Sequence, residues 1–514
     1  MARFWILLLF ASLFPFLPLG PFASAQEPDR QQTDRQRADD ARQAAADLEL
    51  LSAQERVTGR AIERAEKSVV AIARTSRPPA NEALQRDTMP DRNLRGRFPD
   101  PAEPAGPRDA DFVPHDFATG VIVGKGLVLT NYHVLGDPRE YDYWITTHDR
   151  RVFQMKAVTK GADARIDLAV LEVADPGSVR DGDFEPITFG DASQLKKGQF
   201  VVALGNPYAI ARDGQASASL GIVANLARRA APPSDETARE TVPTLHHFGT
   251  LIQTDARLNL GTSGGALINL RGEMVGLTTS QAALAGYEQS AGFAIPVDET
   301  FLRALDSLKE GKEVEYALLG IEPVTRPDGG RGRQGVVVHH FHSGLPAGRA
   351  GLREGDVITH IDGRPVFSRD DLRLRIGKLP PLASTKLTLE RDGRVMQVKV
   401  TLTKYHNPLP KVVTERGPAW RGVRVDYLTG FVEPRFVLLG AEGPCVAVTE
   451  VESESPAAKA GLSRGAKIRR VGNTPVETPD DFRRAIAGKQ GPVDLTIVIG
   501  LSDSKTVTVE GESP

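Results

Sequence analysis

The chain has 514 residues, too many for one hydrophobic core, and at about 100–200 residues per domain it should divide into about three. Its 64 Lys+Arg against 66 Asp+Glu leave a formal charge of −2, without the basic excess that nucleic-acid binding calls for. A single cysteine, Cys445, excludes an internal disulfide and a multi-cysteine zinc site, so burial alone must hold the domains.

The N-terminus reads "MARFWILLLFASLFPFLPLGPFASAQ". Arg3 supplies a positive start, an apolar run follows from Phe4, and Ala23-Ser24-Ala25 fits a small-x-small cleavage site, which predicts a signal peptide over residues 1–25. The alternative is an uncleaved anchor, against which Pro15, Pro18 and Pro21 interrupt a spanning helix. Residues 26–66 carry good helix formers with apolar residues near helical spacing, a helical or disordered segment. "SVVAIAR" (68–74) reads as a strand, and the Pro-, Arg- and Asp-rich stretch 75–114 as a long loop.

From residue 117 short apolar runs alternate with Gly, Asp and Asn: "FATGVIVGKGLVLTNYHVL", "IDLAVLEV", "FVVALGN", "GALINLRGEMVGLTTS" and "SAGFAIPV". That pattern predicts an all-β barrel or sandwich. "DETFLRALDSLKEGK" then predicts a helix capped by Asp298. Beyond it, "SGLPAGRAGLREGDVITHIDGRPV" (343–366) repeats as "SESPAAKAGLSRGAKIRRVGNTPV" (453–476), with Pro346 and Pro456 110 residues apart. Two copies are tandem modules rather than a solenoid. Cys445, in "EGPCVAVTEV", opens an apolar run and reads as a small buried hydrophobe.

Serine hydrolysis needs a base, a carboxylate that orients it, and backbone N–H groups for the oxyanion. The β-rich region offers one candidate for each role. His133 follows the strand end "LVLTN", a rigid place to hold a base. Asp167 lies between Ile166 and Leu168, where an unpaired carboxylate would be costly; Asp163 competes for the role but sits in what reads as a polar turn. Ser263 lies in "RLNLGTSGGAL", where glycines permit a sharp turn, and the N–H groups of Gly261 and Ser263 are the oxyanion candidates. For each residue alone a structural role is open; the three together, in the order His, Asp, Ser, form a known arrangement.

With "LTNYHVL", "DLAVLEV", "ALGNPYAI", "SLGIVANLAR", "QTDARLNLGTSGGALINLRGEMVGL" and "GFAIP", the chain resembles the HtrA (Deg-type) serine proteases over about residues 66–511. The resemblance implies a mainly β fold: a trypsin-like double β-barrel protease domain (67–306) followed by two α+β PDZ domains (317–404 and 417–511). It implies His133 as general base, Asp167 as orienter and Ser263 as nucleophile, and trimers built on the protease domain. Against the family's Pro-Gly-Asn-Ser-Gly-Gly-Pro the chain has Leu260-Gly261-Thr262-Ser263-Gly264-Gly265-Ala266, with a stiffer β-branched residue before the serine.

By likeness to trypsin, the position six before the nucleophile would be acidic in an enzyme that cuts after Lys or Arg; here it is Arg257, which predicts cleavage after small or medium aliphatic residues. The PDZ modules should capture peptide C-termini by strand addition. The carboxylate loops are expected at Leu318, Leu319, Gly320 and Ile321 in the first and at Arg421, Gly422 and Val423 in the second, where Ala466 replaces the Asp356 of the first copy. "HHFH" (339–342) and His246-His247 lack a metal-ligand context, and no nucleotide loop or other cofactor motif is present. The reading is an exported, ATP-independent endopeptidase acting on unfolded or damaged proteins; the alternative is a PDZ scaffold or chaperone-like binder with a mostly inactive protease domain.

Overall fold

The computed structural model describes residues 30–511 apart from 78–105, 110, 111, 113, 115, 138, 157, 207–213, 230–243, 280–290, 327–334, 343, 432–444 and 500–502. The expected signal peptide and most of the loop at 75–114 lie outside the described residues. The chain separates after Val57 into two units. Helix α1 (Arg30–Ala65) contributes residues 30–57 to the first, where exposed Leu48, Leu50, Leu51 and Val57 form no single apolar stripe, and its last turns to the second, whose core takes Ala61 and Ala65. Among the described residues no helix is long and apolar enough to cross a membrane.

The second unit opens with β1 (Val69–Ser76), β2 (Asp116–Gly124), β3 (Leu127–Thr130), β4 (Tyr141–Thr146), β5 (Val152–Gln154), β6 (Gly161–Asp163) and β7 (Leu168–Glu172). They are followed by β8 (Phe200–Gly205), β9 (Ser217–Arg228), β10 (Leu251–Thr254), β11 (Ala266–Asn269), β12 (Met274–Thr279) and β13 (Gly292–Pro296), which close a barrel in the order β10-β13-β12-β11-β8-β9. Val, Ile and Leu at alternate positions fill the interiors, since successive strand residues face opposite ways. One cluster lies within the first sheet around Ile122, Tyr143 and Leu171. A larger one joins Leu129 and Leu168 of the first sheet to Leu204 and Ile268 of the barrel. Helix α2 (Glu299–Lys309) seals that seam with Phe301, Ala304, Leu305 and Leu308, each large side chain contributing about 1.5–3 kcal/mol by burial. Asp298 caps it, accepting from Phe301 N at 3.0 Å, as its sequence position predicts.

The first repeat comprises β14 (Ala317–Leu318), β15 (Ile321–Thr325), β16 (Val336–Phe341), α3 (Pro346–Arg349), β17 (Val357–Ile361), β18 (Arg364–Pro365), α4 (Arg369–Gly377), β19 (Ser384–Arg391), β20 (Arg394–Thr401) and β21 (Thr403–Lys404). Its sheet runs β15-β16-β17-β19-β20. After β22 (Lys411–Val413), the second repeat has β23 (Val423–Tyr427), α5 (Leu428–Phe431), β24 (Val446–Val451), α6 (Pro456–Lys459), β25 (Lys467–Val471), β26 (Thr474–Pro475), α7 (Pro479–Ile486), β27 (Val493–Ile499) and β28 (Asp503–Val509). Its order, β23-β24-β25-β27-β28, repeats the first. Both β15 and β23 are sheet edges. Cys445 is buried with Leu345 and Leu428 in a small cluster that joins the two repeats, and burial pushes its thiol up to about 11.

Two features of the connection between the repeats lay beyond the sequence pattern. Strand β22 adds to the edge of the first sheet, pairing with β6 in the register Lys411↔Asp163, Val412↔Ala162 and Val413↔Gly161. Asp163, expected in a polar turn, is instead fully buried on β6. Burial raises its carboxyl to about 6, against the opposing bond from Arg165 N and the charges of Arg165 and Lys411. Lys404, also buried, reaches Asp426 at 2.7 Å, Glu313 at 2.8 Å and Glu315 at 3.0 Å.

Candidate active site

β3 ends in buried Thr130 and Asn131, and a 3-10 turn over Tyr132–Leu135 then presents His133. β7 begins at Leu168, so Asp167 stands at the strand's entry, fully buried. His133 Nδ1 lies 2.9 Å from Asp167 Oδ2 and 3.0 Å from Oδ1. A carboxylate only accepts, so Nδ1 carries the proton and Nε2 keeps its lone pair. The backbone N–H of His133 also donates to Oδ1 at 3.0 Å, which ties the ring and its main chain to one group. Burial alone would lower the His133 pKa; the charge and hydrogen bond of Asp167 outweigh it and hold the imidazole above its ordinary 6.5.

Asp167 adopts φ = +56°, the left-handed region that Asp tolerates better than most residues. Its carbonyl accepts from Tyr132 N at 3.1 Å and Asn131 Nδ2 at 3.3 Å. From β12 of the barrel, Thr279 Oγ1 donates to Oδ2 at 3.4 Å.

Ser263 occupies the turn between β10 and β11. Thr262 N donates to Asn259 O at 3.1 Å, and Gly261 between them has φ = +95°; a side chain there would strike the Phe117 ring 2.5 Å away. Gly264, at φ = +84°, has Thr119 O 2.1 Å from where a Cβ would stand. The turn therefore requires glycine at both places for conformation and for room. Thr262, the departure from the family motif, is buried, and its hydroxyl donates to Asn259 O at 2.7 Å, so its side chain is bonded within the turn. Leu260 beside it is exposed.

Threonines that read only as strand residues join the two halves of the site. Thr119 N donates to Ser263 O at 2.9 Å and Thr119 Oγ1 to Gly261 O at 2.7 Å. Thr130 Oγ1 donates to Thr119 O at 2.8 Å, so the strand leading to His133 is linked through Thr119 to both sides of Ser263. Thr278 N donates to Gly265 O, and its hydroxyl to Thr262 O at 2.5 Å. The available signal was polar Thr119, Thr130, Thr278 and Thr279 inside otherwise apolar strands, where an unbonded hydroxyl would be costly.

Arg257 is exposed, and its N–H donates to Ser219 Oγ at 2.9 Å. The nearby acid, Asp255, is bonded to Ile222 N at 2.7 Å. Leu258 packs against Gly292 at the start of β13.

At the first PDZ loop, Leu318 pairs with Thr403, Leu319 is buried, Gly320 turns at φ = +82° and Ile321 begins the edge strand β15. The Arg421 guanidinium is buried, donating to Val509 O, Lys489 O, Gln490 O and Gly491 O at 2.7–3.1 Å. Val423 N donates to Trp420 O at 2.9 Å. The carboxylate loop expected at Arg421, Gly422 and Val423 is a main-chain feature, and Gly422 turns there at φ = +81°. His340 bonds Glu354 at 2.7 Å, and no group of three or more metal-binding side chains occurs among the described residues.

A six-stranded barrel packed on a second sheet, a bonded Asp–His pair, a serine in a glycine turn tied to the His strand through Thr119, and two edge-strand repeats define a trypsin-like serine peptidase with PDZ modules. Matches to known families agree: the trypsin-like peptidase domain over residues 118–277, and PDZ domains over 317–402 and 447–499. The periplasmic pH-dependent serine endoprotease DegQ of Escherichia coli is 32% identical over 410 residues, 78% of this chain and 80% of that protein. Probable periplasmic DegP-like endoproteases are each 30% identical: in Chlamydia trachomatis over 74% of this chain and 71% of the relative, in Pseudomonas fluorescens over 82% and 86%. The chain belongs to the HtrA family and is a serine endopeptidase with two PDZ domains. Its relatives' names support a periplasmic location.

Proposed function

We propose that His133, Asp167 and Ser263 form the catalytic triad. The observation that carries this is the doubly bonded Asp167–His133 pair, which fixes the tautomer that leaves Nε2 able to take a proton. His133 removes the Ser263 hydroxyl proton as Oγ attacks the scissile carbonyl. The Gly261 and Ser263 N–H groups stabilise the oxyanion. The proton then passes to the leaving amine, and water, activated in the same way, releases the acyl group.

Substrates are unfolded or damaged proteins, cut after small or medium aliphatic residues, since Asp255 is bonded to β9 and Arg257 is exposed. Peptide C-termini add to β15 beside α4, with the backbone of Leu318–Ile321 as the carboxylate loop and that of Arg421, Gly422 and Val423 in the corresponding place of the second module. The domain limits are those read from the sequence, with residues 1–25 removed on export and trimers as the assembly. The scaffold reading is not favoured by the relatives, which are named endoproteases.

Digestion of unfolded casein by wild type and Ser263→Ala tests the reading. The variant should lose cleavage, and residual cutting at the wild-type rate would reject Ser263. The acid limb of kcat/KM should have its midpoint above 6.5, because His133 must be neutral to act as base and its pKa is raised. Asp167→Asn should move that midpoint down, since only the lowering effect of burial then remains.

A further inference from the structure

His246 lies outside the proposed triad, on a 3-10 turn over Leu245–Phe248 between β9 and β10, and is 1% exposed. Its Nε2 is 2.9 Å from Ile166 O and its Nδ1 2.7 Å from Thr250 Oγ1. A carbonyl only accepts, so Nε2 carries the proton; Nδ1 then accepts from the Thr250 hydroxyl. Burial keeps the ring neutral, and the groups facing it are the Asp167 carboxylate, His247 and Lys378.

Ile166 O belongs to the peptide plane that precedes Asp167. The rotation that sets φ at Asp167 is the rotation of that plane against the Asp167 Cα. Holding Ile166 O therefore holds the left-handed φ of +56° from which the Asp167 carboxylate reaches His133. The three successive carbonyls here are all engaged: Arg165 O by Leu245 N at 2.9 Å, Ile166 O by His246, and Asp167 O by Tyr132 N. Two of the three bonds come from the Leu245–Phe248 turn. We infer that His246 is a positioning residue, which aims Asp167 at His133 by pinning the Ile166–Asp167 peptide.

This inference rests on the triad proposal, and the test separates them by including Ser263→Ala. His246→Leu removes the donor to Ile166 O; His246→Gln can place an N–H where Nε2 stands. Against a chromogenic peptide, His246→Leu should lower kcat about 10-fold to 100-fold, the scale of a misaimed catalytic group, with KM within about twofold. Its acid-limb midpoint should fall toward that of Asp167→Asn, and His246→Gln should recover most of kcat and the midpoint. If His246→Leu melts lower but keeps wild-type kcat and midpoint, or if Gln is no better than Leu, the positioning role is overturned while an inactive Ser263→Ala leaves the triad standing. Should His246→Leu fail to fold, Thr250→Val, which frees the ring to turn, should show a smaller loss of the same kind; an unchanged kcat and midpoint there would also overturn it.

Discussion

In the first PDZ repeat Asp356 is buried and receives Arg391 Nε and Nη2, each at 2.7 Å, with Arg353 N at 2.8 Å. In the second repeat the corner keeps its main chain: Val448 N donates to Ala466 O as Val338 N donates to Asp356 O, both at 2.8 Å. The charges are gone together. The ladder pairs Val357 with Glu390 in one repeat and Lys467 with Val498 in the other, so Arg391 corresponds to Ile499 and Asp356 to Ala466. Loss of one partner would strand a charge; loss of both leaves none to satisfy. The alanine that stands in place of Asp356 is half of a matched replacement.

The repeats also differ in what holds them. The first is bonded to the protease domain through Arg229–Asp370 at 2.9 Å and Lys378–Asp298 at 2.8 Å. The second is closed on itself by Arg421, whose guanidinium collects four carbonyls and stacks on Trp420 at 4.7 Å. A similar sheet order can thus be braced by an ion pair on one side or by one cation against main-chain oxygens.

The largest expected effect is at that cation. Arg421→Met strands four carbonyls and should destabilise the second repeat by at least about 3 kcal/mol, read from Trp420 emission during denaturation. A loss under about 1 kcal/mol would mean the carbonyls find other donors. Next, Asp356→Ala should cost the first repeat about 3 kcal/mol by leaving Arg391 unpaired, whereas Asp356→Ala with Arg391→Ile should return to within about 1 kcal/mol of wild type. Equal losses in the single and double variants would break the claimed equivalence of the two corners. The smallest effect is at Arg349–Glu477, the exposed pair between the repeats at 3.7 Å: Arg349→Ala should shift stability by less than about 0.5 kcal/mol. A larger shift would show that the repeats depend on each other more than their surface contact suggests.

Much of this site is local in sequence. "LTNYHVL" carries its own strand end and turn, "IDLAVLEV" places a carboxylate where β7 begins, and "GTSGG" has glycines at 261 and 264, where the chain turns left-handed. Composition and short-range pattern suffice because a strand's period and a glycine turn are set by neighbouring residues. Local pattern sets Asp163 aside as a turn residue, but it is buried on β6, so that pattern does not give the real difference between Asp163 and Asp167. Only the fold shows Asp163 under Arg165 N and the added strand β22, and Asp167 under His133.

The sequence by itself determined the strand-rich protease region, the tandem repeat, the capped helix at Asp298 and three candidate residues in order. The tertiary structure alone decided which bonds hold them: Thr119 across the two halves, His246 beneath Ile166, β22 on the sheet edge, and the Arg421 guanidinium turned inward onto main-chain carbonyls. The reason is range. Periodicity and turn chemistry act between residues a few positions apart, whereas these bonds join groups as far apart as Asp163 and Lys411, which no local pattern records.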